Sequence, residues 1–305
     1  MSSNLVDHAA AVASVHHAGF LTLAGRTNVG KSTLLNRIVG QKVAIVTPKP
    51  QTTRRRIIGI RSDPDAQIIL IDTPGFHQSR HPLNRRMVDT ARRCLAEGEV
   101  LAPLIEAGRR LDHEDRALLG EIAALARPTV IVINKIDRVA RERALPLIEE
   151  AHRVLPAAEI VPVSALTGEN LDELLRVIKP MLPASPPLMP AENYTDQTER
   201  MIAEEIVREK IFLAMRQEIP FSTAVMVEEF VDEDALTRIT ALVIVAREGH
   251  KGMVIGAGGR QLKAIGSAAR VELEELFGRH IFLGLRVKVE PGWTGDPRML
   301  RELGL

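Results

Sequence analysis

Cysteine, tryptophan and tyrosine each occur once in the 305 residues, and aromatic residues make up only 3% of them. The single cysteine, Cys94, excludes a disulfide framework and a cysteine-built metal site, and it favours a reducing, intracellular setting. Scarce aromatics argue against base stacking as the main grip on any nucleic acid. No stretch approaches the roughly 18 apolar residues needed to cross a bilayer. Met1 to Ala18 holds small residues and three histidines, without a basic start leading into an apolar run, so no signal peptide is expected there. Lys plus Arg (40) and Asp plus Glu (39) leave a net charge of +1. That sum hides local patches, so it excludes neither nucleic-acid nor protein partners. Hydrophobic content of 45% with 26% charge is that of a soluble globular chain, and the length suggests two domains.

Against these absences stand three short segments in one order. Gly25-Arg26-Thr27-Asn28-Val29-Gly30-Lys31-Ser32 is a complete G-x-x-x-x-G-K-S loop, followed by Thr33. Its glycines let backbone N–H groups close around phosphates, Lys31 neutralises the outer phosphates and the Ser32 hydroxyl suits Mg²⁺. Asp72-Thr73-Pro74-Gly75 supplies a carboxylate for the metal and a glycine N–H that senses the last phosphate, with Phe76 next in line. Asn134-Lys135-Ile136-Asp137 has the chemistry to read guanine. The Asp137 carboxylate accepts at once from N1–H and the exocyclic amine, a donor pair that adenine lacks. Adenine would leave a buried charge unpaired, at a cost of several kcal/mol. Lys135 is expected to lay its stem along the base and Asn134 to tie this loop to the phosphate loop, while Ser164-Ala165 completes the pocket with backbone N–H groups. The three segments together predict a guanine-nucleotide switch that takes GTP or GDP with Mg²⁺.

The order of elements agrees. Apolar runs at Phe20–Ala24, Ile57–Arg61, Gln67–Ile71, Thr129–Ile133 and Ile160–Val163 read as strands. Helices read at Ser32–Val39, Arg116–Ala126, Arg143–Leu155 and Leu171–Ile178. Most candidate site residues then follow the C-terminal end of a strand, the edge where open α/β sheets bind ligands. A central strand is placed at Glu99–Ala107 although it holds Pro103, a residue normally kept to edges and bulges. Between the first helix and the second strand, Pro50-Gln51-Thr52-Thr53-Arg54-Arg55-Arg56 occupies the place of a mobile switch. A threonine there reaches Mg²⁺ only when the last phosphate is present; Thr53 is the first choice and Thr52 the second. Ser32, Thr53 and Asp72 are thus the expected metal ligands. The arginine run reads either as a solvated strand edge or as a partner contact.

Five prolines between Lys179 and Pro190 mark a stiff, extended spacer outside any core. Beyond it the reading is a helix over Asp196–Gln217, strands at Thr223–Phe230 and Ile239–Arg247, a turn at Gly256-Ala257-Gly258-Gly259, a helix over Arg260–Phe277 and a strand at Ile281–Val289. The order α-β-β-α-α-β with a G-x-x-G turn between two helices resembles a type II K homology (KH) domain. In such modules the turn lets an RNA backbone approach and a groove takes about four unpaired bases. Lys251, Ile255, Gly256, Ala257, Gly258, Gly259, Arg260 and Lys263 are the RNA-binding candidates, with Val254, Ile255 and Ile265 as the apolar groove. From Arg247 to Arg286, basic residues outnumber acidic ones.

The words GRTNVGKSTLLN, KPQTTRRRIIGI, DTPGFH, NKIDR and VSALTGENLDEL resemble the bacterial Era GTPases, and the likeness runs past the spacer to the Trp293 region. It implies an α/β P-loop GTPase domain with a mainly parallel sheet, followed by an α+β type II KH domain. The expected bounds are an N-terminal extension 1–17, a GTPase domain 18–179, a proline-rich linker 180–195, a KH domain 196–292 and a C-terminal tail 293–305. It also implies GTP hydrolysis, binding near the 3′ end of 16S rRNA, and a cytoplasmic monomer acting in assembly of the 30S subunit. The alternative is a switch at the cell membrane, peripheral on its cytoplasmic face, whose C-terminal module binds protein or lipid. A phosphotransferase is disfavoured, because guanine-reading residues serve no purpose there.

Three positions depart from the family: Pro103 with Glu106 in the central strand, a G-x-x-G turn without its common lysines, and Thr27 where proline is usual. The second is expected to weaken RNA affinity. Asn28, Lys31, Thr53 and Gly75 are the candidates for a direct part in hydrolysis. Phe76 stands where many GTPases have a water-orienting glutamine, a replacement shared by the Era-like enzymes. By resemblance, Asn28 helps hold a K⁺ ion that supplies transition-state charge stabilisation; a turn-stabilising side chain is the other reading of Asn28, and His77 is a rival water-positioner.

Overall fold

Strands that are apolar on both faces need cover on both, and a parallel sheet between two helix layers provides it. Ala66–Asp72 and Val130–Asn134 are of that kind, with every residue buried. The computed structural model describes residues 15–76, 81–215, 219–233 and 235–305. Its first sheet comprises β1 (His17–Gly25), β2 (Ile57–Ser62), β3 (Ala66–Asp72), β4 (Val100–Glu106), β5 (Val130–Asn134) and β6 (Glu159–Pro162), in the order β2-β3-β1-β4-β5-β6. Only the edge strand β2 is antiparallel to its neighbour.

Among the described residues, five helices cover this sheet: α1 (Lys31–Val39), α2 (Pro82–Glu97), α3 (His113–Ala124), α4 (Leu145–Val154) and α5 (Leu171–Ile178). Leu34, Leu35 and Ile38 of α1 and Leu174, Leu175 and Ile178 of α5 join Leu21, Leu23, Leu70 and Val132 in one core cluster. Ala91 and Leu95 of α2 and Leu118 and Ile122 of α3 pack with Ala24 and Leu101, residues of the opposite strand parity and so of the opposite face. The sequence reading assigns no helix to 82–97, although Pro82 at the first turn and buried Leu83, Met87, Ala91 and Cys94 carry a helical signature.

Pro103 does lie in a central strand, and the sheet accommodates it by a gap. On the β1 side the ladder is continuous, from Leu21↔Val100 to Gly25↔Leu104. Toward β5, the N–H groups of Leu101 and Ala107 donate to Pro128 and Asn134, so alternation aims the nitrogen of Pro103 the same way. Pairing with β5 is an isolated bridge at Leu101 and resumes only at Leu104. The missing donor costs one rung and leaves the strand in place.

The second unit follows the predicted order: α6 (Glu199–Ala214), β7 (Thr223–Glu233), β8 (Leu236–Val245), α7 (Glu248–Ile255), α8 (Arg260–Phe277) and β9 (Ile281–Val289). Central β8 is antiparallel to β7 and parallel to β9. α6 and α8 bury Ile206, Val207, Ile211, Ile265, Ala269 and Leu273 against one sheet face. On the other face lies the tail, where a last helix α9 (Pro297–Glu302) follows Trp293. Trp293, Leu300 and Leu303 pack with Ala224 and Ile244 and with Leu83 and Met87 of α2.

The proline segment differs from the spacer that its composition predicts. Ala18 N–H donates to Pro183 O, and Ile60 N–H of edge strand β2 donates to Tyr194 O. Gln67 holds residues 188 and 189 through its side-chain amide, and Leu182 is buried in the first core cluster. Proline lacks an N–H but keeps its carbonyl, so such a segment still accepts from groups along the first unit. His17, assigned by sequence to the N-terminal extension, already belongs to β1.

Candidate nucleotide site and nucleic-acid interface

β1 ends at Gly25, with φ of 148°, where an added Cβ would stand 2.8 Å from Leu104 O. Gly30, at φ 104°, begins α1 with no side-chain cap. Uncapped first-turn N–H groups and the helix dipole make that end a site for phosphate. Lys31, Ser32 and Thr33 line a cavity of about 440 Å³ there, together with Thr27, Asn28, Gly30, Thr53, Gly75, Asn134, Lys135, Asp137 and Ala165. Sequence reasoning missed Ile45–Pro48, just ahead of the expected switch, as well as Arg138 and Leu166, which also line it.

Nine expected residues do not line the cavity: Gly25, Arg26, Val29, Asp72, Thr73, Pro74, Phe76, Ile136 and Ser164. Several hold it from behind. Arg26 pairs with Asp112 and Glu114 at the start of α3, and Thr73 Oγ1 donates to Leu23 O at 2.8 Å. Phe76 is buried among Ala91, Leu95 and Leu118, so its ring serves the core. His77 falls outside the described residues.

Three oxygens converge behind the phosphate loop. Ser32 Oγ donates to Asp72 Oδ2 at 2.6 Å, and Thr53 Oγ1 lies 2.9 Å from Ser32 Oγ and 3.2 Å from Asp72 Oδ2. Thr52 instead meets Thr47 Oγ1 and Lys49 O, so of the two threonines it is Thr53 that stands beside Ser32 and Asp72. Asp72 is wholly buried and burial pushes its carboxyl pKa up, only partly opposed by Lys31. Among the described residues its Oδ1 has no hydrogen-bond partner. A buried carboxylate with an orphan oxygen beside two hydroxyls fits Mg²⁺, which takes one or two carboxylates and completes its shell with phosphate and water.

Lys31 is also buried, and its Nζ donates to Gly25 O at 3.0 Å and Arg26 O at 2.9 Å. Burial lowers its pKa to about 8, although Asp72 pulls the other way. At the base end, Asn134 Nδ2 donates to Val29 O at 2.8 Å and its Oδ1 accepts from Ala165 N–H at 2.9 Å. The phosphate loop and both base loops are thus stitched through one side chain. Ser164 Oγ donates to Asp137 Oδ1 at 2.5 Å, which aims the carboxylate. Lys135, at φ 68°, pairs with Glu106 at 2.8 Å.

In the second unit Gly256, Gly258 and Gly259 have φ of 72°, 59° and 79°. A Cβ at Gly256 would meet Gln261 Cβ at 2.6 Å, whereas no described atom lies within 4 Å of one at Gly258 or Gly259. The first glycine is needed by the turn itself; the other two leave backbone open to an approaching chain. A groove of about 330 Å³ runs on from Gly259 between α8 and β9, lined by Leu262, Lys263, Gly266, Ser267, Arg270, Leu283 and Leu285.

This corrects the expected groove, because Val254 and Ile265 are fully buried in the core. On α8, residues 262, 266 and 270 face the groove while 265, 269 and 273 face the core, one helical phase apart. Ile255, Gly256, Ala257, Gly258 and Arg260 lie at the turn and Lys251 within α7, all outside the groove lining. Part of the basic excess is spent internally, since Arg270, Arg279 and Arg286 pair with Glu274, Glu199 and Glu228.

Fold and site together define a guanine-nucleotide-binding P-loop domain joined to a KH module. Residues 20–135 match the family described as 50S ribosome-binding GTPase, and residues 218–294 match the KH domain. The chain is 46% identical to GTPase Era of Syntrophus aciditrophicus over 289 residues, 94% of each chain. It is 41% identical to GTPase Era of Coxiella burnetii over 94% of this chain and 98% of that one. Among solved structures it is similar to a tyrosine-to-alanine variant of Aquifex aeolicus Era bound to GDP·AlF4⁻, with TM-score 0.91 and 42% identity over 94% and 99% of the two chains. A second, Era in complex with MgGDPNP and nucleotides 1506–1542 of 16S ribosomal RNA, has TM-score 0.92 and 42% identity over 95% and 99%. The chain belongs to the Era GTPase family, and its activity is GTP hydrolysis.

The site's charges make two outcomes measurable. Phosphate favours protonated Lys31, whose pKa is about 8 in the free protein against 10.5 ordinarily. Calorimetry should therefore show GDP affinity falling as pH rises from about 8 to about 9, approaching tenfold per unit, while the free protein gains stability because its unfolded state binds more protons there. Asp137→Asn should weaken GDP roughly 100-fold, the worth of two charged hydrogen bonds, and gain xanthosine diphosphate, whose C2 oxygen accepts from an amide.

Proposed function

We propose that this chain is a GTP-controlled binder of ribosomal RNA, acting in the cytoplasm in 30S subunit assembly and 16S rRNA maturation near the 3′ end of that RNA. The observation that carries the reading is one chain of the Era family holding both a guanine site with an orphan metal-facing carboxylate and an open G-x-x-G turn beside a groove. A family member of known structure holds MgGDPNP and 16S rRNA nucleotides together. The membrane-signalling alternative is not favoured, because the second unit matches a KH domain. Among the described residues, no helix is long and apolar enough to cross a membrane.

The working parts divide as follows. Residues 17–179 form the GTPase unit and 196–292 the RNA-binding unit, with 1–16, 180–195 and 293–305 as extension, linker and tail. Amides of Gly30 to Thr33 and the Lys31 ammonium hold the phosphates. Ser32, Thr53 and Asp72 would hold Mg²⁺, which would supply charge neutralisation for the nucleotide's phosphates. Gly75 senses the last phosphate: its Cβ would stand 2.6 Å from Thr27 Cγ2, so only glycine fits against the loop. Asn134, Lys135, Asp137 and the Ser164-Ala165 loop select guanine. Hydrolysis then resets the switch and has no acceptor product.

Asn28 sits in the left-handed region and its Nδ2 donates to Pro48 O at 2.9 Å. That contact serves the turn and also brings a switch carbonyl beside the amide, the kind of oxygen set that suits K⁺. Turnover in K⁺ should exceed that in Na⁺ at equal ionic strength; equal rates would remove K⁺ from the mechanism.

For RNA, Gly258→Asp is the discriminating change. Aspartate tolerates left-handed φ and the space is open, so the fold is retained, while a negative charge meets the RNA backbone. Gel-shift with a 16S 3′-end oligonucleotide should show binding lost and GDP affinity kept. Retained RNA binding would count against this interface.

A further inference from the structure

Residues 42–55, which lead into and include the switch, are laid along α6 of the second unit. Ile45 is buried in the cluster of Ala203, Ile206, Val207 and Ile211. Val46 N–H donates to Glu209 Oε1 at 3.0 Å. Lys49 Nζ donates to Phe212 O and Met215 O at the C-terminal end of α6, where the helix dipole favours a cation. Arg55 pairs with Glu204 at 3.0 Å.

Arg54 makes the tightest grip. Its guanidinium donates to Pro220 O at 2.9 Å, Phe221 O at 3.0 Å and Thr223 O at 2.8 Å, and lies 5.7 Å from the centroid of the Phe212 ring. It is only 4% exposed. Three carbonyls matched by one planar fork is a geometry that lysine does not reproduce.

The residue before Arg54 is Thr53, whose hydroxyl sits with Ser32 and Asp72. Consecutive Cα atoms are about 3.8 Å apart, so a shift that lifts Arg54 off the second unit carries Thr53 away from the metal position. We propose that α6 and the 220–223 turn are a seat for the switch built into the chain, and that Arg54 is the positioning residue holding Thr53 ready for Mg²⁺ and the last phosphate. The KH unit then acts on the nucleotide site from within the same chain, and whatever moves the 220–223 turn alters GTP binding before GDP binding. This rests on the reading of Thr53 as a contact to Mg²⁺ in the triphosphate state.

The test uses the full chain, with titration of fluorescent GDP and of a non-hydrolysable GTP analogue in Mg²⁺. Arg54→Ala should weaken the analogue on the order of tenfold, the worth of one charged hydrogen bond, and leave GDP nearly unchanged, with Arg54→Lys between it and the parent. A loss of folding alone would lower both nucleotides together. Should Arg54→Ala fail to fold, Lys49→Met, which removes the neighbouring anchor, must give the same split in smaller measure. Equal losses for both nucleotides, or none, overturn the proposal. Thr53→Ala separates the two layers. If it splits the nucleotides and Arg54→Ala does not, only the seat falls; if it does not split them, the metal reading of Thr53 falls and the seat with it.

Discussion

A buried carboxylate with one unsatisfied oxygen is the constraint around which this molecule is arranged. Asp72 ends β3 in full burial, and its second oxygen finds no donor among the described residues. A group in that state is costly unless a cation sits beside it. The groups around it are the ones that the proposed reading gives to the cation and the phosphates. β3 delivers the carboxylate, α1 delivers Ser32 and Lys31, and the switch delivers Thr53. The strand order β2-β3-β1-β4-β5-β6 then sets the base-reading loops on the same sheet edge, where Asn134 binds both to the phosphate loop.

The two units are not beads on a string. Two of the three arginines after Thr53 contact the second unit, Arg54 at the 220–223 turn and Arg55 at Glu204 and Leu303 O, while Arg56 pairs with Glu97 of α2. α2 gives Leu83 and Met87 to a cluster shared with Trp293, Leu300 and Leu303. Arg54, Arg55 and α2 thus contribute to surfaces shared with the KH unit. Lys42 adds a charged tie, pairing with Glu209 at 2.6 Å and with Glu272. A nucleotide-dependent change in the first unit has a short covalent path to these contacts, and RNA held by the second has the same path back.

The electrostatics of the nucleotide site point the same way. Burial lowers the pKa of Lys31 and raises that of Asp72, so each resists the charged state its chemistry needs. Neither shift reflects a defect in packing. Both groups are arranged for a polyanion with a divalent ion, and phosphates beside Lys31 and a metal beside Asp72 reverse the two penalties at once.

What a short contiguous segment encodes was legible in the chain itself. The G-x-x-x-x-G-K-S, D-x-x-G, N-K-x-D and G-x-x-G segments each consist of residues adjacent in sequence, because the geometry they set up comes from the backbone and one or two side chains at fixed spacing. Most strand and helix positions followed from apolar periodicity, α2 being the helix it left out, and even the strand holding Pro103 was placed correctly, since its neighbours are apolar enough to outweigh one missing rung. Distant packing was not legible. Only the fold set Thr53 rather than Thr52 beside Ser32 and Asp72, put Ile265 in the core with Leu262 and Gly266 along the groove, laid the proline segment along the first unit, packed the tail against the second sheet, and turned Arg54 and Arg55 onto the second unit. The physical reason is that those outcomes depend on which surface a side chain meets across the chain, and hydrophobic or charged character alone does not specify the partner.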